Sequence, residues 1–350
     1  MRDISDAISQ LTSILSSQYG INDAVVTPIE SGRVHWTYLV NVNGRNSYVL
    51  QKLNPYFGSS DALGANLNRV NIALEKTSVR SPKIIPTLSK QWLYTDPHND
   101  FYRLTSFLPG RPPEKCSLQD AGLAAKAVGR CHMALNRPKP IELFSFPDAD
   151  GECTNHRLCV EGDFTIIKDQ YRRHPNLPKI IDDVDRGAKA TTLLPTKPAF
   201  VHIFLIRDLV VHRDCKRDNF LIDGDTVGLM DWDTVAYGDP LLDLGEMCRS
   251  WAISPTKPFF NASVASALLA GYRGSGLKLT TDQYRMLPAV VRGLALNLAR
   301  RYLTDALAEV FFRWDKEAYP SLFEQNHIRG CWYLDLAEEL LEREIELMKL

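Results

Sequence analysis

The residues best suited to chemistry lie in two short runs, His212-Arg213-Asp214-Cys215-Lys216-Arg217-Asp218-Asn219 and Asp231-Trp232-Asp233. Asp214 and Asn219 share a loop that ends where Phe220 to Ile222 reads as a strand. Asp223-Gly224 reverses the chain, and Val227 to Met230 returns it so that Asp231 arrives beside Asn219. A hard cation such as Mg2+ takes oxygen ligands, a few from protein and the rest from phosphate and water. Asn219 and Asp231 supply such ligands. Asp214, held near an acceptor, can take a hydroxyl proton as the oxygen attacks phosphorus. The spacing therefore implies phosphoryl transfer from Mg-ATP to a hydroxyl. An H-x-D tripeptide alone is weak evidence. Its union with H-x-D-x-x-x-x-N, a hairpin of fitting length and D-x-D is far more specific.

The neighbours of these residues carry open alternatives. His212 braces the loop rather than reacts. Lys216 either reaches the transferring phosphoryl group, where a cation offsets developing charge, or is simply solvated. Asp233 binds a second Mg2+ or a backbone amide. Cys215 is a small hydrophobic filler. Asp239 precedes an apolar helix as a cap would, and Asp243 either caps or braces the catalytic loop.

The elements that must position this set follow from hydrophobic spacing. Ile4, Ile8, Leu11 and Leu15 predict an opening amphipathic helix that stops near Gly20. Strands are predicted at Val25 to Ile29, Thr37 to Val42 and Ser47 to Leu53, with Asn43-Gly44 as a hairpin turn. A helix over Asp61 to Lys76 and strands at Gln91 to Tyr94 and Phe101 to Phe107 complete a small mixed lobe. Pro109-Gly110-Arg111-Pro112-Pro113 marks a break. Beyond it helical patterns dominate, at Gln119 to Leu135, Tyr284 to Phe312 and Arg329 to Lys349, with an irregular stretch from Pro138 to Gly162. The expectation is an α+β, two-lobed chain: residues 1–108 an antiparallel-sheet nucleotide lobe, residues 109–350 a mainly helical lobe carrying the catalytic loop and acceptor site.

Composition narrows the class. With 45% hydrophobic and 24% charged residues, the 350-residue chain is ordinary for a globular protein. Its 41 basic and 42 acidic side chains leave a net charge of −1, which gives no electrostatic reason to expect nucleic acid or membrane partners. The seven cysteines form no C-x-x-C pair and read as reduced thiols. Acids at Asp3 and Asp6 occupy the place of a signal peptide's basic flank, so a cytoplasmic location is expected.

With these residues in hand, the chain resembles the aminoglycoside phosphotransferase and choline kinase group, relatives of protein kinases, and most of all its N-acetylhexosamine 1-kinase branch. Ser31-Gly32-Arg33-Val34-His35-Trp36-Thr37-Tyr38-Leu39-Val40 is similar to that branch's glycine loop, and Tyr48-Val49-Leu50-Gln51-Lys52-Leu53-Asn54 to its following strand. His212 to Asn219 resembles its H-N-D-T-K-x-N-N loop, and Met230-Asp231-Trp232-Asp233-Thr234 its metal segment. Arg301-Tyr302-Leu303-Thr304-Asp305-Ala306-Leu307, then Tyr319-Pro320 and Asn326-His327-Ile328-Arg329, resemble its late motifs.

The resemblance implies a protein-kinase-like fold with ATP and Mg2+ as cofactors and a small-molecule hydroxyl, a sugar's, as acceptor. The protein would be a monomer or homodimer. Gly32, Arg33, Gln51, Lys52, Ser106, Phe107 and Leu108 become candidates for the nucleotide, the last three as a hinge reading adenine through the backbone. Arg301, Asp305 and Arg329 become candidates for the acceptor, with ion pairs between helices as the competing reading.

Departures from the pattern are informative. In the V-A-I-K register of protein kinases the nucleotide lysine falls on Gln51, and strand alternation points Lys52 to the other face. Either a bulge turns Lys52 inward or phosphate neutralisation rests more heavily on Mg2+. Glu75 either braces Lys52 or lies in solvent. His35 replaces an asparagine of the branch's glycine loop. The region of the branch's sugar contacts, around residues 140 to 165, matches poorly, so choline, homoserine and aminoglycosides remain alternative acceptors. A protein kinase is disfavoured because Gly238-Asp239-Pro240 follows Asp231 too closely for an activation loop and no A-P-E follows. A P-loop NTPase is excluded by the missing G-x-x-x-x-G-K-[ST]. A nucleotide-binding scaffold without activity is the rival from another class, disfavoured because Asp214, Asn219 and Asp231 are all present.

Overall fold

The computed structural model describes residues 4–29, 34–54, 61–144, 164–195, 209–254 and 257–344. The chain forms two compact units, one of residues 1–76, 80–109 and 142–154, the other of 77–79, 110–141 and 155–350. It is a mixed α+β protein.

The smaller unit is built on a six-stranded antiparallel sheet. Its strands are β1 (Val25–Ile29), β2 (Trp36–Val42), β3 (Arg45–Lys52), β5 (Ile84–Ile85), β6 (Tyr94–Thr95) and β7 (Phe101–Ser106), while the two-residue β4 (Val79–Arg80) lies outside this sheet. The order is β1-β2-β3-β7-β5, with β6 also on β7. Asn43 and Gly44 both take positive φ, 52° and 75°, as the expected two-residue turn requires. Helix α1 (Ile4–Tyr19) lays Leu11, Ile14, Leu15 and Tyr19 on one face of the sheet, against Val26, Val40, Leu50, Tyr102 and Leu104. It stops where Gly20, at φ 68°, gives its amide to Ser16 while Ile21 gives its own to Leu15. Helix α2 (Ala62–Leu74) carries Gly64 where a Cβ would lie 2.2 Å from the Trp92 Cβ, so only glycine allows that approach. The short strands β5 and β6 are too brief to show periodicity, and the strand expected at Gln91 to Tyr94 is found displaced to Tyr94–Thr95.

The larger unit is mainly helical. α3 (Leu118–Asn136) begins at Ser117, whose hydroxyl accepts from Asp120 N. The chain continues through α4 (Phe164–Gln170), α5 (Leu177–Thr192) and β8 (Leu209–Val211). The hairpin β9 (Phe220–Asp223) and β10 (Thr226–Leu229) pairs as the sequence predicts, and β11 (Ala236–Gly238) returns to pair with β8. Four helices follow: α6 (Pro240–Trp251), α7 (Ala262–Arg273), α8 (Thr281–Ala308) and α9 (Leu322–Glu342). α3 and α7 approach so closely that a Cβ on Gly271 would lie 2.1 Å from the Gly122 carbonyl oxygen.

Two helix boundaries differ from expectation for identifiable reasons. α8 ends at Ala308, short of Phe312, because Glu309 turns left-handed at φ 54° and the Asp305 carboxylate captures the amides of Val310, Phe311 and Phe312. α9 begins at Leu322 rather than Arg329, since the Ser321 hydroxyl accepts from Glu324 N. No described helix is long and apolar enough to cross a membrane.

Candidate active site

The catalytic-loop residues come together in the larger unit. β8 delivers buried His212, whose Nδ1 accepts from Asp214 N at 3.2 Å, so Nε2 carries the proton given to the Met230 carbonyl at 2.9 Å. Its ring packs on Trp232 at 4.4 Å between centroids, and its carbonyl accepts from the Thr234 hydroxyl at 2.8 Å. His212 therefore ties the catalytic loop to the segment Met230 to Thr234.

Asp243, on α6 and fully buried, is the second brace. One oxygen accepts from His212 N at 2.8 Å and lies 2.9 Å from His132 Nε2. The other accepts from Arg213 N at 2.6 Å. Burial opposes its charge, but His132, His212 and these donors prevail and hold its pKa below the ordinary carboxylate value. Asp239 caps the same helix by accepting from Leu241 N at 2.7 Å.

Within this frame Asn219 donates its amide nitrogen to the Asp214 carbonyl at 2.8 Å and to Asp214 Oδ2 at 2.9 Å. That orientation turns the Asn219 carbonyl oxygen away from Asp214, the disposition a metal ligand needs. Asp231 sits in the left-handed region, φ 60° and ψ 60°, which a short polar side chain tolerates. Lys216 bonds to Asp214 Oδ2 and lies 3.8 Å from Asp231 Oδ2. Burial works against the ammonium, yet Asp214 and Asp231 outweigh it and raise the lysine's pKa. The oxygen donors are hard and carboxylate-rich, so they fit Mg2+. Asp233 is buried beside Trp232, and Cys215 is fully buried with its thiol pKa raised by burial, the inert filler expected.

Of the acceptor candidates, Asp305 is buried, and its carboxylate also accepts from Asn326 Nδ2 at 3.0 Å. Its oxygens thus anchor the α8–α9 connection. The Arg301 guanidinium lies 4.7 Å from the Phe311 ring, and that of Arg329 lies 5.2 Å from Tyr319 and 6.0 Å from Tyr302. Tyr302 stacks on Tyr333, whose hydroxyl accepts from Arg249 Nη1 at 3.1 Å. Arg249 is in turn ion-paired with Glu246 on α6. An aromatic and cationic path thus runs from beside the catalytic loop to Arg301 and Arg329. The Glu246–Arg249 pair and His132 were not singled out from the sequence, since an i,i+3 pair and a lone histidine have many ordinary uses.

In the smaller unit, Gln51 faces Thr37 and Arg103 across the strands, donating to Thr37 Oγ1 at 3.4 Å and accepting from Arg103 Nη2 at 2.8 Å. Lys52 pairs instead with Asp100 at 2.5 Å and lies 5.7 Å from the Trp36 ring centroid. The only register shift between β2 and β3 falls at Val40/Asn41, so no bulge turns Lys52 toward Gln51. The amides of Ser106 and Phe107 donate to Lys83 and Ser47, and Leu108 is buried. Gly32 and Arg33 lie outside the described residues.

Residues 25–278 match the model of the phosphotransferase enzyme family, and the chain belongs to that family. The enzyme is a phosphotransferase acting on a hydroxyl acceptor. Kinases of this family work with ATP and Mg2+, and the two cofactors expected from the sequence stand. The fold is similar to that of a microcompartment-associated aminopropanol kinase, at 17% identity and TM-score 0.64 over 98% of both chains. It is also similar to an amicoumacin kinase bound to AMP-PNP, at 15% and 0.61 over 94% of this chain and 96% of that one. A spectinomycin phosphotransferase bound to ADP resembles it at 14% and 0.56 over 95% and 98%. No curated protein sequence matches the chain.

Proposed function

We propose that the chain is an ATP- and Mg2+-dependent kinase whose acceptor is a sugar hydroxyl. The observation that carries the kinase chemistry is the pairing of Asp214 with Asn219 and Lys216 in a loop fixed by Asp243 and His212. Asp214 takes the acceptor proton as the new O–P bond forms and the bond from the γ-phosphorus to the departing ADP oxygen breaks. Lys216, held cationic between Asp214 and Asp231, lies where charge develops. Asn219 and Asp231, with Asp233 as a further candidate, would hold Mg2+, which when bound would neutralise phosphate charge.

The sugar reading is supported by Arg301 and Arg329 set against Phe311, Tyr319 and Tyr302, a combination of apolar planes and fixed donors. Where these two guanidinium groups face the acceptor, they also disfavour a cationic one. An amino alcohol or aminoglycoside is the second reading, favoured by fold neighbours described as an aminopropanol kinase and a spectinomycin phosphotransferase.

An acceptor panel of hexoses, N-acetylhexosamines, choline, homoserine, amino alcohols and aminoglycosides, read by ADP release and NMR of the product, tests this. Turnover with a neutral sugar is expected. Turnover with amines alone would replace the acceptor, and ATP binding without turnover on any acceptor would turn the chain into a scaffold.

A further inference from the structure

We propose that Arg103 supplies the fixed cation for the nucleotide phosphates that the lysine of a kinase β3 strand supplies elsewhere, and that Gln51 positions it. The inference rests on the kinase reading above and assigns the charge that Gln51 lacks.

The sheet's two faces decide the argument. Leu50, Tyr102 and Leu104 face α1, and that face is filled by Leu11, Ile14, Leu15 and Tyr19. Side chains alternate along a strand, so Gln51 on β3 and Arg103 and Thr105 on β7 share the opposite face. Arg103 stands directly across from Gln51, and Val49 from Thr105, in one continuous register that runs on to Ser106 opposite Tyr48. The face that bears Arg103 thus leads straight into the candidate hinge. Lys52, opposite Tyr102, shares the α1 side and is held by Asp100.

Position alone does not make a phosphate ligand, but the surroundings add to it. Arg103 is 3% exposed, an unusual place for a guanidinium in the middle of a strand. Gln51 accepts from its Nη2 and is itself tied to Thr37, so a row across three strands fixes the direction of the planar fork. A guanidinium stays charged at any working pH and presents paired donors to phosphate oxygens. Moving the cation one strand over keeps it on the same face, and the glutamine becomes the group that aims it. The competing role is structural, with Arg103 merely stitching β7 to β3 through Gln51.

Calorimetric titration of the full chain with Mg-ATP, Mg-ADP and adenosine separates the two. A charge-assisted contact to phosphate predicts that Arg103→Gln weakens Mg-ATP by about tenfold or more while adenosine affinity stays within about twofold. The double variant Gln51→Lys with Arg103→Gln, which returns the cation to β3, should recover most of the loss. Parallel loss of adenosine and Mg-ATP binding, or Mg-ATP affinity within twofold of wild type in Arg103→Gln, would overturn the inference.

A second measurement needs no disruptive variant. The Arg103 Nε–H NMR signal, assigned by its disappearance in Arg103→Lys, should shift on adding Mg-ATP or inorganic triphosphate to the wild-type protein and stay in place with adenosine. No shift with triphosphate overturns the assignment even if Arg103→Gln fails to fold. A wild-type chain that binds no Mg-ATP would sink the kinase reading itself. Normal wild-type binding with unaltered Arg103 variants removes this inference alone.

Discussion

The catalytic loop and the small-unit sheet both have to hold charge where phosphate chemistry can use it, and they do so by different means. In the loop, Asp214, Lys216 and Asn219 are neighbours in sequence, joined to one another by side-chain bonds and fixed from below by Asp243. In the sheet, the residue on β3 is the neutral Gln51, and the nearest cation sharing its face, Arg103, comes from β7 across a strand register. Local constellations keep their residue types because changing one member leaves the others without a partner. A sheet position can pass its charge to the strand beside it, because facing side chains lie only about 5 Å apart at Cβ.

The deepest way to test the loop side of this contrast is to remove its base. Asp214→Asn keeps the shape and the Asn219 contact but cannot accept a proton. Turnover should fall by about 10²–10⁴-fold, with Mg-ATP affinity within a few-fold of wild type. Steady-state kinetics alongside calorimetry checks both, and near-normal turnover would remove Asp214 as the base.

The next effect belongs to the brace. Asp243→Ala would leave His132 and the amides of His212 and Arg213 facing a buried void. Breaking a buried charged network of this kind costs about 3–5 kcal/mol, and turnover should fall as well because the loop loses its floor. A urea midpoint equal to wild type would show that the loop holds itself.

The same contrast explains what could be read from the sequence. The β9–β10 hairpin was legible, and the proposed base and metal ligands could be nominated, because they lie within one short stretch with strong turn chemistry at Asp223-Gly224. The opening helix and first three strands were legible through hydrophobic spacing and Asn43-Gly44. Arg103 was not, because its meaning depends on which residue of β3 it faces, and register is a tertiary fact. The end of α8 was missed for a similar reason: the periodic pattern runs on to Phe312, but the Asp305 carboxylate takes the next amides and ends the helix. The one usable signal for Arg103 was its parity, a charged residue alternating with Tyr102 and Leu104.

A smaller effect is expected at the start of the larger unit, where Asp120 accepts two bonds from Arg111, at 2.8 and 3.0 Å, and one from Glu114 N at 2.8 Å. The Arg111 bonds lead in holding its pKa below the usual carboxylate value, against the opposing pull of burial. Because the folded-state pKa is depressed, this stability is fully present above the unfolded value near 4 and is lost as pH falls through the folded one. Asp120→Asn should therefore be less stable by about 1–3 kcal/mol at neutral pH, with the gap closing below about pH 4. A gap that is constant with pH would show that the carboxylate's charge contributes nothing.

The smallest effect is the sharpest on the comparison itself. Lys52 pairs with Asp100, and both side chains are roughly three-tenths exposed, at 30% and 28%. An exposed pair of this kind is worth under about 1 kcal/mol, so Lys52→Gln should shift the thermal midpoint by no more than a few degrees. If the charge for phosphate sits on β7, Lys52→Gln should also lose far less Mg-ATP affinity than Arg103→Gln does. A tenfold loss from Lys52→Gln, with Arg103→Gln unaffected, would mean that the lysine swings off Asp100 and around the strand edge to meet the nucleotide. The sheet would then hold its charge on β3 after all. Equal losses in the two variants would mean that both cations reach the phosphates, one from each face, and the alternation of side chains would no longer separate them.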